Sequence, residues 1–132
     1  MKFSMIAAAV TAALLAAAPS VAHHSFAATY FENQNVTIEG EILQFMYRNP
    51  HSFVHVSVKE KDGSTSRYTV EWGGTGQLGA QGVGKETLKA GDHVIISGNP
   101  GRNPADKRVR LLSLLRPKDG YGWGRRPGEV VN

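Results

Sequence analysis

No cysteine occurs anywhere in the 132 residues of this chain. That absence excludes a disulfide framework, a thiolate metal site, a cysteine nucleophile and a lipid-anchored N-terminal cysteine. Long hydrophobic runs are missing as well. The longest apolar stretch, from Met5 to Ala18, is about 14 residues, short of the ~20 that a membrane span requires. Organic-cofactor motifs are equally scarce: Gly73-Gly74-Thr75-Gly76 is rich in glycine but lacks the Lys-Ser/Thr of a phosphate-cradling loop. Serines 25, 52 and 57 lack the nucleophile elbow that would make one of them an attacking group. What remains is a chain 41% hydrophobic, which is enough for one folded domain and too short for two.

The N-terminal segment has the order of an exported precursor. Lys2 precedes the apolar stretch, and Pro19-Ser20-Val21-Ala22 supplies a helix break followed by a small-x-small pair. Residues 1–22 are therefore expected to be a signal peptide cleaved after Ala22, leaving no stable membrane span and placing the mature protein in the periplasm. The mature chain then holds fourteen basic and eleven acidic residues, unevenly spread. Residues 23–101 carry six basic and eight acidic groups, whereas residues 102–132 carry eight basic and three acidic. A basic end of this kind attracts an anionic partner, in an exported protein an envelope protein or polyanion rather than nucleic acid.

Alternation at a period of two dominates the middle of the chain. Val36–Tyr47 places Val36, Ile38, Ile42 and Met46 on one side, with Gly40 where a barrel strand would bend. Ser52–Glu60 places Val54, Val56 and Val58 on one face, and Lys61-Asp62-Gly63-Ser64 turns the chain into Arg67–Trp72. Leu78, Ala80, Val83 and Leu88 recur at near-helical spacing despite six glycines between 73 and 84, which predicts a helical connection over 75–88. Strands over 93–98 and 107–116 follow, separated by a polar loop. Three strands, one short helical connection and two strands make an all-β, five-stranded OB-like barrel over 36–117, with an SH3-like barrel or small sandwich as the alternative. Residues 23–35 are an arm expected to pack loosely, and 118–132 a flexible, basic, Gly-rich tail.

Histidine is where chemistry could sit. Cleavage after Ala22 makes His23 the N-terminus, so its amine and imidazole can chelate one ion, to which His24 adds a donor. Nitrogen donors of this kind suit copper first, with zinc and nickel second; no organic cofactor is implied. His51 follows Pro50 at a turn, a good place to hold a ligand still. His55 lies four residues on, about 13 Å away along an extended strand, too far to share an ion with His51. The predicted metal ligands are therefore His23, His24 and His51, with His55 and Glu71 in reserve and His93 on the surface. Glu71 reads as an outward, solvated strand residue, and Glu39 and Glu41 as an exposed pair. Phe45, Tyr47 and Phe53 fall on outer faces, where they form a binding platform or pack under the arm. Without a nucleophile or acid–base pair, the chain is expected not to be an enzyme.

His23-His24-Ser25-Phe26-Ala27, Tyr47-Arg48-Asn49-Pro50-His51, Val70-Glu71-Trp72-Gly73 and Leu88-Lys89-Ala90-Gly91-Asp92 together resemble a family of small exported bacterial proteins known only as a domain of unknown function. The resemblance covers nearly the whole mature chain up to the last strand. It implies a periplasmic location and an OB-like barrel and brings no established activity. The chain departs from the family pattern in Tyr47, where tryptophan is common, and in its longer Gly/Arg-rich tail. The joint occurrence of His-His and Asn-Pro-His in one pattern strengthens the expectation of a metal site.

Overall fold

The structure is a computed structural model and describes residues 25–124. A short helix, α1 (Ser25–Thr29), precedes strands β1 (Val36–Met46), β2 (Phe53–Lys59) and β3 (Thr65–Glu71). Helix α2 (Thr75–Ala80) connects to β4 (His93–Pro100), a 3-10 turn at Pro104–Asp106 leads into β5 (Arg108–Arg116), and β6 (Tyr121–Gly124) follows. The strand order is β3-β2-β1-β4-β5-β6, and a parallel β3–β5 pairing closes the first five strands into a barrel. This is the OB-like architecture, with its short helix between strands three and four. Among the described residues, no helix is long and apolar enough to cross a membrane.

The eleven residues of β1 serve both halves of the barrel: Val36–Glu41 pair with β4, and Gly40–Met46 pair with β2. Gly40 sits in the overlap, where a Cβ would lie 2.0 Å from the Ser57 carbonyl oxygen. Only a residue without a side chain lets the two backbones approach so closely. Val54, Val56, Val58, Val70, Val94 and Ile96 fill the interior from alternating positions, as their period of two dictates. Each contributes about 1.5–3 kcal/mol by leaving water.

Several local expectations differ from what forms. The register of β1 breaks between Ile42 and Gln44, so the inward parity passes to Phe45, which packs on the core, while Leu43 is 46% exposed. An extra residue in one strand reverses the facing of all that follow, so Met46 does not continue the inward row. The helix predicted over 75–88 stops at Ala80, because Gly82 at φ +79° turns the chain. Leu78, Val83 and Leu88 nevertheless all reach the core, whereas Ala80 is exposed. Within the stretch read as a flexible tail, residues 121–124 form β6 along β5. Trp123 docks edge-on against Trp72 at 5.0 Å, and the Arg116 guanidinium lies over Tyr121 at 5.2 Å, which holds this strand in place.

Candidate functional site

The arm packs tightly against the barrel, contrary to the loose packing its lack of periodicity suggested. Tyr30 is fully buried and bridges to Gly101, while the Phe31 amide donates to the Pro100 carbonyl at 3.0 Å. Asn99 Nδ2 donates to the Gln34 carbonyl at 2.8 Å, and Arg102 Nε to that of Ala27 at 2.6 Å. These contacts carry Tyr30 and Phe26 to the end of β3.

There, Glu71 is 8% exposed and has three partners. Its Oε1 lies 2.6 Å from His51 Nδ1; its Oε2 accepts from the Tyr30 hydroxyl and from Arg108 Nη2 at 3.1 Å. Arg108 Nε also donates to the Tyr30 oxygen at 3.3 Å. Burial, then the hydrogen bond to the Glu71 carboxylate, pushes the Tyr30 hydroxyl well above the ordinary tyrosine range, so it stays protonated and donates. The expectation of a solvated Glu71 is thus overturned. Strand alternation does point its side chain off the barrel interior, but the docked arm covers that face.

His51 lies just before β2, and its ring stacks on Phe26 with centroids 5.3 Å apart and planes tilted by 25°. Phe26 also meets the Arg110 guanidinium, 3.9 Å from the ring centroid and itself paired with Glu32 at 2.9 Å. Among the described residues no hydrogen-bond partner is found for His51 Nε2. A cleft of about 290 Å³ opens beside this group, lined in part by Phe26, His51, Glu71, Trp72, Arg110 and Trp123. It lies where β3 leaves β5 after the Glu71–Arg110 pair and β6 ends at the Gly124–Ser113 pair. A larger cleft of about 420 Å³, between the arm and the loop after β4, contains no histidine.

The other candidate residues are dispersed. His23 and His24 lie outside the described residues. His55 faces outward from β2, its Nδ1 3.3 Å from Thr69 Oγ1, and takes no part in the His51 group. His93 is exposed and pairs with Glu39 at 2.7 Å. Among the described residues, no three His, Cys, Asp or Glu side chains are grouped to hold a metal ion. Phe45 and Tyr47 are not an outer platform: both pack on the core, and the Tyr47 hydroxyl donates to the carbonyls of Thr75 at 3.0 Å and Val83 at 3.1 Å. Phe53 lies under the Arg48 guanidinium at 5.1 Å. Sequence reasoning missed Tyr30, Arg108 and Arg110, whose roles depend on the arm and β5 meeting at β3.

Fold and site together define a small OB-like barrel whose N-terminal arm clamps a histidine–carboxylate pair at the barrel rim. The chain belongs to the family of unknown function DUF6152, whose model matches residues 11–109. No curated protein matches it.

Proposed function

We propose that this is an exported, periplasmic metal-binding protein rather than an enzyme, cleaved after Ala22, that takes a transition-metal ion through His51, His23 and His24. Copper is the first candidate, because imidazole and amine nitrogens suit it; zinc and nickel follow. The observation that carries the reading is the His51–Glu71 pair. A carboxylate on one ring nitrogen fixes the orientation of an imidazole and strengthens the other nitrogen as a donor, the outer-sphere arrangement common to metal-bound histidines. Glu71 acts in this reading as an orienting group, since both its oxygens already have partners.

Phe26 supplies the second support. Its ring lies on His51, and His24 and His23 precede it by two and three residues, a covalent reach of at most about 11 Å between α-carbons. The donor set would be completed by the arm, so docking of the arm on the barrel and metal binding would favour each other. Copper would supply a fixed positive charge to the rim, for buffering, delivery or sensing.

Titration of the mature chain beginning at His23 with copper(II) and with zinc, followed by calorimetry, tests the proposal. One-to-one binding is expected, weaker in His51→Ala and in a chain lengthened by one residue before His23, and weaker on acidification because the ligands must be unprotonated. Absence of binding, or binding indifferent to His51→Ala, would overturn it.

A further inference from the structure

The fold distributes charge differently from the linear sequence. The basic residues of 102–116 have internal partners: Lys107 meets Glu60 at 3.1 Å, Arg108 meets Glu71 at 3.1 Å, Arg110 meets Glu32 at 2.9 Å, and Arg116 meets Asp92 at 2.9 Å and Asp119 at 2.8 Å. Arg102 is bonded to the Ala27 carbonyl and lies over Phe31 at 4.6 Å. Arg48 and Arg67, in the more acidic part of the chain, are exposed and make no ion pair among the described residues.

Both arginines lie at the outer face of β2–β3. Val54, Val56 and Val58 face the core, so Phe53, His55, Ser57 and the exposed Lys59 face out, with Thr69 opposite His55, Arg67 opposite Ser57 and Thr65 opposite Lys59; Lys59 adds a third cation at the far end of the face. Burial, then the charges of Arg67 and Arg48, holds the His55 imidazole below its ordinary value, so both cations act on the same spot. Glu71, at one end of this face, is already held by Arg108 and His51. On the β1 side it is bordered by Glu41, opposite Ser57, and by Glu39, which pairs with His93.

We propose that this outer face docks an acidic, extended peptide segment of a partner protein, with Arg48 and Arg67 as its two anchors. The inference is independent of the metal reading. The step from Phe53, under Arg48, to Ser57, opposite Arg67, is four strand residues, about 13 Å. Carboxylates four residues apart on one side of an extended peptide have the same spacing, and guanidinium groups pair with them in a planar, two-pronged geometry. A single-stranded nucleic acid needs free aromatic faces for stacking, and on this face Phe53 is already covered by Arg48 and His55 is partly buried beside Thr69. A membrane surface needs an apolar patch to insert, and Leu43 is the single exposed large hydrophobic among the described residues.

The test is fluorescence anisotropy of a labelled hexaglutamate peptide with the full chain at low salt, beside labelled hexathymidylate. Hexaglutamate is expected to bind and to be released by salt. The Arg48→Gln/Arg67→Gln variant, with an unchanged melting curve, should bind about tenfold more weakly, and Arg125→Gln/Arg126→Gln as well as the parent. Amide shifts in the unmutated chain should concentrate at His55, Arg67 and Thr69, a readout that does not depend on a variant folding. No binding, a loss caused by the 125/126 variant instead, or equal or tighter binding of hexathymidylate would each overturn the proposal.

Discussion

Glu71 reaches His51 with one carboxylate oxygen, at 2.6 Å, while Tyr30 and Arg108 hold the other. One side chain therefore joins three parts of the chain: the arm, the turn before β2, and β5. Glu71→Gln keeps the volume but removes the charge facing Arg108 and the acceptor geometry facing His51. Because Arg108 is one-third exposed, water offsets part of the loss, and the expected cost is about 1–3 kcal/mol in urea denaturation. If Glu71 orients a metal-bound His51, calorimetry should also show copper affinity falling about 10- to 100-fold. Parent-like stability and affinity would count against both roles.

Tyr30→Phe isolates the hydroxyl. The ring still fills its fully buried position, but Glu71 and Arg108 lose a partner. A loss of about 1–2 kcal/mol is expected, together with faster amide exchange at Phe31 as the arm loosens. Unchanged exchange would mean that the backbone bonds of residues 30–34 dock the arm unaided.

His55 should give the fold a dependence on pH. The folded protein disfavours its protonation, through burial and the nearby Arg67 and Arg48, so the unfolded chain takes up that proton more readily. Its contribution to stability is complete above the ordinary histidine value and is lost as pH falls through that value toward the lower folded one. In an NMR titration, Arg67→Gln should move the His55 midpoint upward. A downward or absent movement would show that Arg67 does not act on this ring.

Gly40→Ala should be among the most damaging substitutions in the chain. The added carbon would stand 2.0 Å from the Ser57 carbonyl, backbone that cannot swing aside. Separating β1 from β2 there is expected to cost about 3–5 kcal/mol, checked by thermal melting. Gly63→Ala is a useful comparison, since it has open space around it and a φ of +87°, so strain alone should make it milder.

Much of the barrel is legible in the residues. The alternation of Val54, Val56 and Val58 assigns β2 its inner face, and the length of β1 lets one strand pair on both sides. Local repulsions and the period of the strand settle these, and neighbours in sequence suffice to show them. The parity switch at Ile42–Gln44 was not legible, because a bulge leaves no fixed residue signature. Nor was β6, whose Tyr121-Gly122-Trp123-Gly124 becomes a strand only when Trp123 finds Trp72.

The site divides along the same line. The sequence by itself determined that these residues offer no thiolate, that the middle of the chain makes a β-barrel, and that His51 follows a proline just before β2. Tertiary structure alone decided that Glu71 is buried rather than solvated, that Tyr30 and Arg108 are its partners across 41 and 37 residues, and that the arginines left without an ion pair on the outer face of β2–β3 are Arg48 and Arg67. The reason is physical: periodicity says which way a side chain leaves its own strand, but its protonation, pairing and accessibility depend on what lies opposite. Here that is an arm and a strand brought in by barrel closure, from distances at which the sequence carries no local signal.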